Sequence, residues 1–354
     1  MKKEKGPAYL LLYEEMRRKI TEGDFAYGDK LPSKRNLTLT SGYSPVTVEH
    51  AYALLEEEGY LSSKERSGYF VSYRQEDFFS PSALKVKDYP VAYENRKNTF
   101  PASVFEKAAR KVLSEYGEKV LYPCEEKGSI VLRDALVRYL GRSQNIHVCA
   151  DNILIGAGSE YFYTVIAAMF GRSRIYGIET PSYHSIRESY RSEGVRVDEL
   201  KLGNHGILKS ELDRTPASVL HVTPYRSFPT GMSTDNKKRR EYIQWAEERN
   251  AWIIEDDYAS EYSPSLKAEE SLCSLDPVHV LYMNTFTETV SPSIRTGYMI
   301  LPEKLMQIYQ ENQSFRNCPV PLYIQLIIAE LLNSGAFERQ MNRIRRKKRN
   351  IRKD

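Results

Sequence analysis

The sequence is poor in cysteine. Only Cys124, Cys149, Cys273 and Cys318 occur in 354 residues, widely separated and without any CxxC spacing. That pattern argues against a zinc ribbon and against a disulfide framework, so the four read as reduced, mostly buried thiols and no metal site is expected. Long apolar runs are also missing. Stretches such as Val165 to Phe170 fall far short of a bilayer span, and the basic N-terminus, Met1 to Gly6, is not followed by an apolar leader, so the expectation is a cytoplasmic protein without membrane contact. No self-similarity appears at the roughly 20–50-residue periods of solenoids. Charge of one sign is not in excess either: 51 Lys and Arg stand against 47 Asp and Glu, so bulk charge alone does not argue for a nucleic-acid partner.

What is present is an ordinary globular composition, 41% hydrophobic and 28% charged, in a chain long enough for two domains. Charge is nevertheless unevenly spread. Between Arg339 and Asp354 nine Lys and Arg face one acid, a block that is either a phosphate-binding patch or a solvated helix face.

Residues 8 to 72 read as one unit. Leu10, Leu11, Tyr13, Met16 and Ile20 have helical spacing that stops at Gly23. Ser33 is placed to cap a short helix carrying Leu37 and Leu39, which Gly42 closes, and Ser44 is placed to cap a third helix through Val46, Val48, Ala51, Leu54 and Leu55,. Strand-like pieces follow at Tyr60–Ser62 and Tyr69–Ser72, joined by a charged loop ending in Ser67-Gly68. Three helices and a hairpin is the winged helix-turn-helix order. From Arg74 to Lys97 the composition turns polar, with Pro81 and Pro90. We therefore expect a DNA-binding domain over 1–75, a linker over 76–97 and a larger domain over 98–354. Beyond Asn98 helical and strand-like segments alternate. Helices are expected at Phe105–Glu115, Ser129–Leu140, Tyr161–Phe170 and Tyr183–Glu193. Strands are expected at Asn152–Ile155, Arg174–Ile178, Val219–Val222, Trp252–Glu255, Val280–Met283 and Tyr298–Leu301. Such alternation predicts an α/β domain with a mostly parallel, doubly wound sheet.

In a winged helix the N-terminal residues of the recognition helix face base edges while neighbouring elements hold phosphates. The candidates for DNA contact are Ser44, Thr47 and His50 on that helix, Ser33, Lys34 and Arg35 at the start of the preceding one, and Ser67 and Gly68 at the wing tip. The alternative for Lys34 and Arg35 is plain solvated charge. Residues 1–75 carry twelve basic and eleven acidic side chains, so one copy should bind modestly and with strong salt dependence, and a homodimer on paired operator half-sites is expected. The segments Tyr13-Glu14-Glu15-Met16-Arg17-Arg18, Gly28-Asp29-Lys30-Leu31-Pro32-Ser33-Lys34-Arg35, Ser44-Pro45-Val46-Thr47-Val48 and Ser67-Gly68-Tyr69-Phe70-Val71 resemble the GntR-type winged helix. Pro45 and Glu49 stand where many such readers carry arginine.

The larger domain resembles the fold-type-I aminotransferases, in the arrangement of the MocR/GabR-type regulators. The resemblance rests on Gly128-Ser129-Ile130-Val131-Leu132-Arg133, Ile153 to Glu160, Glu179-Thr180-Pro181-Ser182-Tyr183, Thr223 to Gly231, Ile254-Glu255-Asp256-Asp257-Tyr258 and Asn284 to Tyr298, in family order. It implies an α/β/α domain and the cofactor pyridoxal 5'-phosphate. The turn at Gly158 with Ser159, Thr285 and Arg295 would hold the phosphate, and Tyr183 would stack on the ring. Asp256 would pair with the ring nitrogen, and Tyr258 and Arg226 would approach the phenolic oxygen. Each residue also has an ordinary alternative, core packing for a tyrosine or helix capping for an aspartate. Where the family carries its Schiff-base lysine this sequence has Glu288, and a carboxylate forms no imine. The family also continues about a hundred residues further, the size of a small subdomain that supplies a substrate-binding arginine.

These features imply a DNA-binding transcription regulator whose aminotransferase-like domain serves dimerisation and effector sensing without catalysis. The alternatives are a pyridoxal-phosphate enzyme, a non-covalent sensor of the cofactor or an amino-acid adduct, and a truncated chain that does not fold stably.

Overall fold

The structure is a computed structural model that describes residues 7–65, 67–74, 100–263, 270–313 and 315–351. They fall into two compact units, one ending at Arg74 and one beginning at Phe100. The expected linker, 76–97, lies outside the described residues.

The first unit contains α1 (Ala8–Thr21), α2 (Lys34–Ser41) and α3 (Pro45–Glu57), then β1 (Leu61–Lys64) and β2 (Gly68–Val71) paired antiparallel. Both expected caps form. Ser33 Oγ accepts from Asn36 N at 3.2 Å and Ser44 Oγ from Thr47 N at 3.2 Å, satisfying donors that a helix start leaves free. Along α3 the buried residues are Val48, Ala51, Tyr52 and Leu55, spacings of three and four that keep one apolar stripe inward. Burial of Val48 and of Leu55 each stabilises the unit by about 1.5–3 kcal/mol,. Tyr52 also donates its hydroxyl to the Pro32 carbonyl at 2.8 Å, tying α3 to the turn before α2. Leu39, in contrast, is 77% exposed; α2 is short enough that one apolar residue, Leu37, anchors it.

The second unit is built on a seven-stranded sheet of β3 (Ile153–Gly156), β4 (Ile175–Thr180), β5 (Arg196–Lys201), β6 (Val219–Val222), β7 (Trp252–Asp256), β8 (Val280–Thr285) and β9 (Gly297–Ile300). The spatial order is β3-β9-β8-β7-β6-β4-β5. Helices α4 (Ala102–Tyr116), α5 (Ile130–Ser143), α6 (Ser159–Phe170), α7 (His184–Ser192), α8 (Lys209–Arg214), α9 (Asn236–Arg249), α10 (Leu272–Leu275), α11 (Glu303–Gln313), α12 (Leu322–Asn333) and α13 (Ala336–Ile351) complete it. Residues of β3, β6 and β8 are buried throughout, as expected for strands covered on both faces. The mostly parallel sheet is as expected, with one reversal: β9 runs antiparallel to both β3 and β8. The structure adds β5, a strand without an apolar run in the sequence. Its run Arg196-Val-Asp-Glu-Leu-Lys is largely charged because it is an edge strand,.

Two expectations are corrected. Of the four thiols only Cys273 is buried; Cys149 is exposed and Cys124 and Cys318 are intermediate. The last two are also not scattered in space, since the Gln325 Nε2 amide lies 3.2 Å from Cys124 Sγ and 3.4 Å from Cys318 Sγ. The basic C-terminal block is not simply a solvated face. On α13, Arg345 Nε donates to the Glu261 carbonyl at 2.7 Å and the Lys348 ammonium lies 4.4 Å from the Tyr262 ring centroid. Among the described residues no helix is long and apolar enough to cross a membrane, and no cluster of ligating side chains suits a metal ion.

Candidate functional site

The sheet topology decides what meets at its carboxyl edge. In a parallel sheet every strand ends on the same side, where ligands bind. Because β9 runs the other way, its first residue lies beside the last residues of its neighbours. Gly297 pairs with Gly156 of β3 and with Thr285 of β8. Arg295, just before β9, therefore arrives at the same edge as Ser159 after β3, Thr223 after β6, Asp256 at the end of β7 and Thr285 at the end of β8.

These residues line a cavity of about 410 Å³, together with Glu160, Tyr163, Tyr183, Ile186, Phe228, Tyr258, Thr287, Glu288 and Pro292. Of the eight expected cofactor contacts, Ser159, Tyr183, Asp256, Tyr258, Thr285 and Arg295 are brought together in this wall. Gly158 lies directly behind it as the residue before α6, with φ +95°. A Cβ at Gly158 would stand 3.4 Å from Arg295 Nη2, so the guanidinium covers the turn where backbone N–H groups of α6 point outward, an arrangement suited to a dianion. Arg226 is placed differently. It is not part of the wall; its carbonyl accepts the Tyr258 hydroxyl at 2.7 Å and its N–H donates to Ser233 Oγ at 3.1 Å. Glu288 does line the cavity, and no lysine does among the described residues.

Asp256 is held from behind. The Tyr163 hydroxyl donates to its Oδ2 at 2.7 Å, and His221 Nε2 lies 3.4 Å from the same oxygen. Tyr190 and His221 Nδ1 are in turn 2.9 Å apart. Its other oxygen, Oδ1, is buried without a hydrogen-bond partner. A carboxylate that is 5% exposed and half unsatisfied is costly unless a ligand completes it. A protonated pyridine nitrogen is a donor of the kind that oxygen lacks,. Arg295 carries an ion pair with Glu160 at 3.1 Å, and Tyr183 lines the cavity as an exposed ring 6.1 Å from that of Phe228. The residues present therefore suit a pyridine phosphate. A covalent bond to a lysine in the wall is what they do not offer.

Glu160, next to Ser159 in sequence, joins the wall as well. Tyr163 follows Ser159 by one helical turn, a spacing that could have flagged it. Thr223 and Thr287 fall inside motif segments without being singled out by them, and His221 carried no local signal, because only the strand order brings it to Asp256.

In the first unit, Ser44, Pro45, Val46, Glu49 and His50 are exposed on the leading part of α3 and Thr47 is half-buried. His50 packs edge-on against Tyr9 of α1, centroids 5.7 Å apart. Ser33, Arg35 and Ser67 are exposed, and Gly68 opens β2 with φ +109°. Lys34 is engaged: its Nζ meets Glu49 Oε1 at 2.9 Å and lies 5.4 Å from the Tyr69 ring centroid.

Residues 8–71 match the bacterial regulatory proteins of the gntR family, and residues 91–353 match aminotransferase class I and II. An uncharacterised HTH-type transcriptional regulator, YdeL of Bacillus subtilis, is 31% identical over 98% of this chain and 78% of its own length. The probable rhizopine catabolism regulatory protein MocR of Rhizobium meliloti is 26% identical over 96% of this chain and 74% of its own. Kynurenine aminotransferase of Pyrococcus horikoshii superposes with a TM-score of 0.65 at 22% identity, covering 77% of this chain and 74% of that one. A solved archaeal alanine:glyoxylate aminotransferase is covered over 62% of its length. The architecture is thus that of a helix-turn-helix transcription regulator joined to an aminotransferase-like domain. The chain belongs to the MocR/GabR-type regulators, with a gntR-family domain followed by an aminotransferase class I and II domain.

Proposed function

We propose that this regulator binds duplex DNA through Ser33, Lys34, Arg35, Ser44, Thr47, His50, Ser67 and Gly68, working as a homodimer. Its aminotransferase-like domain holds a pyridoxal-phosphate-type effector without covalent attachment and without transamination. The observation that carries this reading is the wall of the cavity: Asp256 offers an unpartnered oxygen while Glu288, and no lysine among the described residues, faces the same space.

When bound, the cofactor would supply an electron-withdrawing ring to amino-acid chemistry. Ser159, Thr285, Arg295 and the start of α6 would bind and orient the phosphate, Tyr183 would cover the ring, and Asp256 would keep a proton on the ring nitrogen. Glu288 cannot form the bond to carbon that an amine forms, so among the described residues of the wall the covalent half of transaminase chemistry finds no amine nucleophile,.

Absorbance spectra of purified protein incubated with pyridoxal phosphate test this directly. The wild type is expected to release the cofactor on gel filtration and to show no borohydride-trapped adduct at the cavity, whereas Glu288→Lys gains one. A trapped adduct in the wild type, mapped to a residue of the cavity wall, would overturn the non-covalent reading. For the DNA half, a fluorescent duplex should bind at low salt and dissociate steeply as salt rises; indifference to duplex DNA at low salt would refute it.

A further inference from the structure

The cavity wall is strongly acidic. Asp256, Glu160 and Glu288 contribute three carboxylates, and Arg295 is the single base among the described lining residues. Arg295 is moreover already paired with Glu160. Such a wall is poorly matched to a ligand that brings only a phosphate, because a dianion meets three like charges around one guanidinium. It is matched to a ligand that brings a phosphate at one end and cationic groups at the other. Asp256 accounts for one of those cations through its unpartnered Oδ1. Glu288 is left for a second.

The position of Glu288 is informative. Tyr258, in the same wall, has its phenol raised above the ordinary value. Burial is the main cause, opposed by Arg226 and reinforced by the carboxylates of Asp256 and Glu288. Glu288 lines the same wall as Tyr258, whose hydroxyl is fixed on the Arg226 carbonyl. An ionised carboxylate only accepts hydrogen bonds. Toward it, an aldehyde oxygen is an acceptor facing an acceptor, an alcohol is a neutral donor, and a protonated amine is a charged donor.

We propose that the cavity selects the amine form of its ligand, pyridoxamine 5'-phosphate or a similar aminomethyl-pyridine phosphate, with Glu288 accepting from the protonated amine and Asp256 from the pyridinium. This rests on the reading that the domain holds a pyridine phosphate without covalent attachment. It assigns to Glu288 a binding role in place of the covalent one it cannot perform. The amine removes the like-charge conflict at Glu288, and charge-assisted hydrogen bonds are about twice as strong as neutral ones.

The test is isothermal titration of the full chain with pyridoxamine 5'-phosphate, with pyridoxine 5'-phosphate and with inorganic phosphate. The first two ligands differ only in an aminomethyl against a hydroxymethyl group, and neither forms an imine with surface lysines. The amine is expected to bind roughly tenfold more tightly than the alcohol, the scale of one hydrogen bond to a charged group. Glu288→Gln should shrink the gap by at least about threefold, since it removes the negative charge that distinguishes the ammonium from the alcohol. Equal affinities in the wild type, or tighter binding of the alcohol, would overturn amine selection while leaving the pyridine-phosphate cavity standing. Binding of inorganic phosphate as tight as that of the amine, or no heat with either pyridine phosphate, would overturn the cavity reading itself. The wild-type comparison decides the matter even where the variant is poorly behaved.

Discussion

Neutralising Glu49 should strengthen DNA binding, because the structure shows what that side chain holds back. Glu49 is exposed on α3, and its Oε1 takes the Lys34 ammonium at 2.9 Å. That bond is the largest reason why Lys34 is raised above the ordinary lysine value, followed by an opposing cost of burial and help from Tyr69. An ammonium so engaged is a poor partner for a phosphate at the start of α2. In Glu49→Gln the cation is released and one negative charge leaves the proposed DNA-facing surface. A single added phosphate contact steepens the plot of log K against log salt by about 0.9, so between about 50 and about 200 mM salt the loss of affinity should grow by roughly threefold per protomer. Folding should be unaffected, since exposed ion pairs contribute little. Fluorescence anisotropy with a duplex of arbitrary sequence suffices, because backbone contacts carry no sequence information. Adding Lys34→Gln to Glu49→Gln should remove the steepening that Glu49→Gln adds, because the released ammonium is gone. A slope unchanged by Glu49→Gln, or weaker binding at low salt, would refute the reasoning.

Burial pushes the Glu261 carboxyl from its ordinary 4.5 up to about 8, with the Asp257 charge adding to the rise, and its Oε2 has no hydrogen-bond partner. A raised carboxyl contributes most below the unfolded value and loses that contribution as pH climbs through the folded one, at a rate of up to about 1.4 kcal/mol per pH unit. Glu261→Gln, which can still accept from Asn284 Nδ2 (2.9 Å in the wild type), should therefore gain on the wild type between about pH 5 and about pH 8 in urea unfolding. A gap that does not change with pH would contradict the assignment. The Cys124 thiol is lowered to about 7, chiefly by the Cys318 thiol and further by Gln325, against the opposing effect of burial, whereas burial raises Cys273. Peptide mass spectrometry after iodoacetamide should show Cys124 alkylated with a midpoint near neutral pH, shifted upward in Cys318→Ala, and Cys273 unreacted in the folded protein; an unshifted midpoint in the variant would count against the pairing. Gly297→Ala places a Cβ 2.7 Å from the Asn284 carbonyl oxygen, a backbone atom fixed in the sheet, and should cost about 1–3 kcal/mol in urea unfolding. A loss of a few tenths would show that β8 and β9 are not so close.

Local chemistry was readable where it is set by neighbours in sequence. Ser33 and Ser44 cap their helices because a hydroxyl three residues ahead of a free N–H needs no tertiary help, and the buried stripe of α3 follows from helical spacing alone. The parallel strands announced themselves as short apolar runs because both of their faces are covered. β5 did not, since an edge strand exposes charge and breaks the apolar pattern. Leu39 misled for the opposite reason: its spacing from Leu37 is not helical, and only one of the two faces the core of the small unit. Pairings across the chain, Lys34 with Glu49 or Cys124 with Cys318, have no sequence signature, because the separation that matters is through space.

The reversed strand shows how much of the site depends on information of that second kind. Gly-Tyr-Met-Ile, the run of β9, has the same hydrophobic pattern whichever way it lies. Placed parallel, it would carry Arg295 to the amino edge of the sheet, away from Ser159, Asp256 and Thr285. Placed antiparallel between β3 and β8, it brings Arg295 over Gly158 and into register with the start of α6. The cavity thus obtains the Arg295 guanidinium through topology, while its described carboxylates come from the strand end at Asp256, the first turn of α6 at Glu160 and the turn after β8 at Glu288. A ligand read by this wall must satisfy both sets together, which a phosphate alone does not do and a phosphate joined to a cationic ring and amine does.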